Sequence, residues 1–229
     1  QGYANWLKHY AQLPYPRNSY AAFLSTQDET IGNLLATLDR LKLREDTIIV
    51  FQSDHGHSHE ERAHFGGGSS GPYCGAKFSM FEGGLRVPAI ISWPGKLPEG
   101  AVRDQVSHSC DWLPTLAELA GVKLQRKDID GLSLTNVIKN EDALTPHKVL
   151  HWQIGRGNNP RWAVREGDWK LIGNPQDTSN KAPLTTKDKL FLTNLKENVN
   201  EMVNLAEKHP DVTQRLKKLH DEWAAKNVK

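Results

Sequence analysis

Apolar residues recur with helical spacing at Tyr20, Phe23, Leu24, Ile31, Leu34, Leu35, Leu38 and Leu41. That 3.6-residue stripe predicts an amphipathic helix. Asn18 or Ser19 can cap its start, and Arg40, Lys42 and Arg44 suit the negative end of its dipole. Residues 1–18, rich in aromatics and proline, read as an irregular entry segment. An unbroken run, Thr47-Ile48-Ile49-Val50-Phe51, predicts a strand buried on both faces, hence parallel-sheet material. A second run, Val87 to Trp93, ends at the Pro94-Gly95 turn. A further helix is predicted from Asp111 to Ala120, with Pro114 near its start and Gly121 at its stop.

From about residue 140 the pattern changes. Val149–Ile154, Trp162–Arg165 and Trp169–Ile172 are short and partly alternating, and Arg165-Glu166-Gly167-Asp168-Trp169 predicts a hairpin. Pro210 opens a last helix with Val212, Leu216, Leu219 and Trp223 on one face. The expected fold class is α/β. Residues 1–140 form the main α/β region, and 141–229 a small α+β subdomain in which an antiparallel sheet is covered by the terminal helix.

Composition narrows the function classes. Of 229 residues, 38% are apolar and 24% charged, which suits a globular chain and excludes a largely disordered one. The 29 basic residues nearly cancel 27 acidic ones, so charge makes no case for a nucleic-acid partner. No window approaches the ~18 apolar residues of a membrane span. Cys74 and Cys110 cannot build a disulfide framework or a four-cysteine zinc site; they either form one bridge or, as free cysteines usually do, stay unpaired and buried. The chain opens on Gln1 with no apolar leader, so it is expected to be a processed or excised piece.

The candidate chemistry lies between residues 54 and 86. Asp54 and His55 follow the predicted strand directly, where open α/β sheets place ligands, and a carboxylate beside an imidazole can bind a cation. His57, His59 and His64 follow closely, with Glu60, Glu61 and Arg62 among them. The zinc-protease spacing is absent. From His57 to Gly84 seven glycines crowd a long loop, and Lys77 within it is a natural anion ligand without the spacing of a nucleotide P-loop. Glu82 and Arg86, four apart, are placed to pair and hold the loop to the next strand.

Taken in order, several segments resemble the second half of the type I, formylglycine-dependent sulfatases of the alkaline phosphatase superfamily. They are Ser53-Asp54-His55-Gly56, Gly71 to Lys77, Phe81 to Pro88, Trp93 to Lys96, Asp111 to Thr115, Asp130 to Ser133, Arg165 to Leu171 and Glu201 to Leu205. The resemblance implies that Asp54 binds an active-site Ca²⁺. It makes His55 a metal ligand or a sulfate contact, and Lys77 the catalytic lysine that clamps the sulfate group. His57, His59 and His64 have no secure counterpart and are candidates to reach the substrate. The implied substrate is a sulfated sugar or other sulfate ester, and the implied location is periplasmic or extracellular.

The departures are as informative. The family nucleophile arises from a C/S-x-P-x-R motif. Cys74 precedes Gly-Ala-Lys, Cys110 precedes Asp-Trp-Leu, and Ser92-Trp93-Pro94-Gly95 ends in Lys96. The early Asp-Asp metal pair is also missing. The expectation is therefore a C-terminal half that needs the N-terminal half of the same protein as partner, inactive alone and weak in binding Ca²⁺. A fragment of a related metal-dependent phosphatase or phosphodiesterase, or a non-catalytic binding module, stands as the alternative.

Overall fold

The computed structural model describes residues 2–63, 66–126, 128–157 and 159–227. In chain order the elements are α1 (Gly2–His9), α2 (Arg17–Arg40), β1 (Ile49–Gln52), α3 (Glu82–Leu85), β2 (Ala89–Ser92), α4 (Trp112–Leu119), α5 (Thr135–Lys139), β3 (Val149–Ile154), β4 (Arg161–Glu166), β5 (Trp169–Gly173), β6 (Leu190–Asn194) and α6 (Pro210–Asn227). They fall into two units. One combines Gln1–Gly32, His55–Pro88 and Val149–Lys229, and the other Asn33–Asp54 and Ala89–Lys148.

In the first unit β3 to β6 form an antiparallel sheet in sequence order. Alternation along β4 sends Trp162 and Val164 to one face and Ala163 to the other. Trp162 and Val164 join Leu171 and Leu192 beneath Leu216 of α6. On the opposite face Ala163, Ile172 and Phe191 meet Cys74, Met80 and Phe81 of the glycine-rich segment, with Phe81 edge-on to Phe191 at 5.1 Å. Burying side chains this large stabilises by roughly 1.5–3 kcal/mol each. The glycine-rich segment is thus one wall of a core. The entry segment departs from expectation. Residues 2–9 are helical, and Trp6 Nε1 donates to Glu29 while Tyr10 hydrogen-bonds Ser25. Two aromatic side chains with polar tips find partners on α2, which gives the segment a packing face.

The second unit corrects the parallel-sheet expectation. β1 pairs antiparallel with β2 over Ile49↔Ser92, Val50↔Ile91, Phe51↔Ile90 and Gln52↔Ala89. No other strand flanks them among the described residues, and Phe51 and Ile90 are 41% and 60% exposed, so the run is not buried on both faces. The strand available to β1 is the one that returns after the glycine-rich segment, and it returns antiparallel. The helical part of the unit is organised by the buried carboxylate of Asp111. It accepts from the backbone N–H of His108 (2.7 Å) and of Leu132 (2.9 Å), and lies 2.8 Å from Nε2 of His147. Thr115 Oγ1 donates to the Asp111 carbonyl and accepts from the N–H of Leu134. Two of the sequence motifs, at 111–115 and 130–133, are therefore halves of one hydrogen-bonded clasp.

Candidate active site

Lys77 is fixed by its backbone before its side chain is considered. Its N–H donates to the His57 carbonyl at 2.9 Å, and its carbonyl accepts from Thr178 Oγ1 at 3.0 Å. Gly75 and Ala76 donate their N–H groups to Ser179 and Thr178, and Ser79 donates to the Gln176 carbonyl. The loop after β5 thus grips the glycine-rich loop. Asp177 holds that grip by accepting from the N–H groups of Ser179, Lys181 and Ala182. Burial opposes its charge, but these donors hold its pKa below the ordinary range. Glycine is required where strands of backbone touch. Gly56 donates its N–H to the Gly84 carbonyl, and a Cβ at Gly56 would run into the Gly83 carbonyl.

At the side-chain level, the Lys77 ammonium sits 2.7 Å from Glu60 Oε2 and over the ring of Phe78. Glu60 also takes Arg62 at 3.0 Å and the hydroxyl of Ser58. Hydrogen bonds from Lys77, Arg62 and Ser58 hold its pKa at about 2. His55 Nδ1 lies 2.9 Å from the Gly56 carbonyl. A carbonyl only accepts, so Nδ1 is the donor in this contact. The rings of His57 and His59 approach to 4.8 Å. Burial lowers the pKa of His57, and His59, Lys181 and Arg17 lower it further. The surroundings of His57 are therefore electropositive, and Glu60 is the carboxylate that meets Lys77 there.

Asp54 is exposed, two residues past β1, in the second unit. The strand it leaves is antiparallel, so the argument from carboxyl ends of parallel strands has no parallel strand to rest on among the described residues. His64 lies outside the described residues. Among the described residues no three His, Cys, Asp or Glu side chains are grouped to hold a metal. One carboxylate and one imidazole fall far short of the ~6–8 oxygen ligands of Ca²⁺, so these residues do not by themselves fit a calcium cage.

The strongest electrostatic feature is the ion network that seats the loop. Lys170, fully buried on β5, bridges Glu82 and Glu201 at 2.8 Å each, and Arg86 adds a second cation to Glu82 at 2.8 Å. The Glu82 N–H donates to Glu201 Oε2. Burial opposes ionisation of Glu82, yet Lys170 and Arg86 bring its pKa down to about 2. Burial raises the pKa of Glu201, and the charge of Glu82 adds to that. Lys170 is held protonated by both carboxylates against its own desolvation. The pairing of Glu82 with Arg86 was legible from their spacing. Lys170 and Glu201 were not read as partners, although each lies in a segment the resemblance singled out. Both cysteines are free thiols, and burial raises both pKa values, Cys74 to about 11, so neither is a ready thiolate.

A loop so fixed brings a lysine, imidazoles and the Glu60 carboxylate together on one backbone frame. Comparison with known proteins identifies it more closely. The sulfatase family profile matches residues 3–122, over half of the chain, and the profile of the N-sulphoglucosamine sulphohydrolase C-terminal region matches 74–229. The chain belongs to the sulfatase family. A choline-sulfatase of Rhizobium meliloti (strain 1021) is 35% identical over 184 residues, 80% of this chain and 33% of its own length. Arylsulfatase A of Bos taurus is 31% identical over 241 residues, 95% of this chain and 47% of its own. Among solved structures, BT4656 in complex with its substrate D-glucosamine-2-N,6-O-disulfate superposes with a TM-score of 0.67 at 26% identity, over 91% of this chain and 40% of that one. The chain thus spans between a third and a half of the length of these relatives.

Proposed function

We propose that this chain is the sulfate-clamping part of an enzyme that hydrolyses sulfate esters of sugars in the periplasm or outside the cell. The observation that carries the reading is Lys77, backbone-pinned in a glycine-rich loop with its ammonium on a single, partly exposed carboxylate, Glu60. A sulfate monoester presents the oxygens that Glu60 mimics. It displaces that carboxylate, and Lys77 then neutralises charge on the sulfate oxygens as the ester bond breaks. His55 and His57 orient the substrate from the same loop. Sugar substrates are supported by the disulfated glucosamine of BT4656.

The nucleophile is assigned to a part of the enzyme that lies outside the span matched in the relatives, since no C/S-x-P-x-R motif occurs here. Asp54, with His55, contributes at most part of the ligand set of a Ca²⁺ completed from that same part. Such a partner also fits the uncovered Phe51–Ile90 face of β1 and β2. The test compares turnover of an aryl sulfate and an aryl phosphate. The chain alone should turn over neither. The enzyme carrying the nucleophile should prefer the sulfate, and Lys77→Ala should lower kcat/KM by about 10²–10³-fold. Robust turnover by the chain alone, or faster phosphate hydrolysis, overturns the reading.

A further inference from the structure

The helix-covered face of the β3–β6 sheet carries a pocket that the chemistry above does not use. It encloses about 520 Å³ between α6 and the strand ends, on the side of the sheet opposite the core packing of the glycine-rich segment. A volume of roughly 300–1,000 Å³ is the ordinary range for small-ligand sites. Trp162 forms part of its lining. Gly173 on the neighbouring strand makes room for that indole, since a Cβ there would strike the ring. His220 stacks flat on Trp162, with ring centroids 4.0 Å apart.

Two lining residues hold buried polar atoms without a partner among the described residues, Gln153 Oε1 and His220 Nδ1, and His220 is only 4% exposed. Unsatisfied atoms of this kind are rare and call for an occupant. Burial lowers the His220 pKa to about 4, so the ring is neutral at pH 7. Lys217 is paired with Asp221 at 2.6 Å, whereas Lys189 has no ion pair among the described residues. Two lysines against one aspartate leave the lining one positive charge in excess.

We propose that this pocket binds a saccharide residue bearing one anionic substituent, a sulfate ester in the first instance, as a site separate from the Lys77 loop. Hydroxyls both donate and accept, so they can satisfy Gln153 Oε1 and His220 Nδ1. The apolar surface of Pro160 suits the C–H face of a sugar ring, while the indole, covered by His220 and Gly173, forms the floor beneath. Lys189 takes the single negative charge. A simple inorganic anion would leave the amide and imidazole unused, which argues for a polyol. The proposal does not depend on the reaction inferred for Lys77.

The experiment titrates the full chain with a sulfated galactan hexasaccharide and with its desulfated counterpart, following backbone amide shifts. Shifts at Gln153, Asn174 and Lys189 should move with the sulfated sugar. Binding should weaken about tenfold in the double variant Gln153→Ala/Lys189→Ala, which removes one hydrogen-bond partner and one charge. Lys189 is exposed and Gln153 half-buried with one long hydrogen bond to Gly155, so the melting curve should change little. Lys77→Ala should leave these shifts intact, which separates this pocket from the catalytic clamp. Shifts confined to the Lys77 loop, or undiminished binding by the double variant, overturn the proposal. Equal binding of the desulfated sugar overturns the assignment of an anionic substituent to Lys189.

Discussion

The two units solve the same problem differently. In the unit built on β3 to β6, both faces of the sheet are covered, one by α6 and one by the glycine-rich segment, and residues of β4 and β5 reach zero exposure. In the unit holding β1 and β2, the sheet has two strands, and its cross-strand neighbours Phe51 and Ile90 remain largely exposed. Two-stranded sheets are marginal unless something packs on them. The first unit therefore carries two large hydrophobic clusters, whereas the second adds to the few buried apolar side chains Leu97, Leu134 and Val137 a set of polar ties: the Asp111 clasp, Arg44 to Ser92, and Trp93 to the Glu45 carbonyl. Binding residues need a rigid support. Lys77, His55, His57 and His59 stand on the covered unit and Asp54 on the other, so the clamp proposed for Lys77 rests on a packed support that the carboxylate proposed for the metal lacks.

The largest expected effect breaks the covered unit at its buried charge. Lys170→Met leaves Glu82 and Glu201 buried without their shared cation, and removing one partner from such a cluster costs about 3–5 kcal/mol. Urea denaturation should show that loss, with the glycine-rich loop losing amide protection first. Replacing all three residues by apolar ones of similar size should recover most of it. If the single variant is as stable as the parent, the network does not seat the loop. The matching change in the other unit is Asp111→Ala, which strands two backbone donors and His147. Its expected cost is smaller, about 2–3 kcal/mol, because part of the clasp faces solvent and can hydrate. A cost above that of Lys170→Met would reverse the ranking of the two units.

What was legible in the sequence follows the same division. Period and punctuation located α2, α4, α6 and the first three strands of the larger sheet, because each depends on local pattern and a nearby Pro or Gly. The α/β class and the terminal sheet with its helix stand. β6 went unread because Leu190 to Asn194 sits among charges and threonines, and becomes a strand only by pairing with β5. The orientation of β1 could not be read either, since an apolar run specifies burial and not the direction of its neighbour. That Lys77 lies in a glycine-rich loop was legible, but its pairing with Glu60 was not. A contact between residues 17 apart depends on how the loop folds over itself, and no spacing rule covers it.

The next effect is a pH dependence led by the covered unit, to which His108 of the other unit, also lowered by burial, adds in the same direction. His220, wedged between Trp162 and α6, has its pKa lowered by burial from 6.5 to about 4. His151 faces it and is stacked on Trp223, Lys217 and Asp221 lie along its own helix, and burial lowers His151 as well. A histidine whose folded pKa is depressed binds more protons when unfolded. Its contribution is present above pH 6.5 and is lost as pH falls toward 4. Glu82 adds its loss only below 4.5, on the way to about 2. The urea midpoint should therefore fall between pH 6.5 and 4.5 in the parent, and fall less in His220→Phe. An unchanged slope in that variant would place the titrating group elsewhere.

The smallest effect sharpens the comparison at the clamp. In this structure Glu60 occupies Lys77, so an incoming sulfate must compete with a carboxylate already in place. With a pKa near 2, Glu60 stays charged across the working range, and the competition does not vary with pH above about 4. Glu60→Gln keeps the size and one hydrogen-bond acceptor but removes the charge. Exposed ion pairs are weak and screened, so the gain in affinity for inorganic sulfate should be modest, roughly threefold at low salt, and should shrink as salt rises. Titrating sulfate into both forms while following the Lys77 side-chain nitrogen resonance measures it directly. Weaker binding in the variant would mean that Glu60 holds the ammonium in position for the substrate, and that the preorganisation of the clamp extends from its backbone to this ion pair.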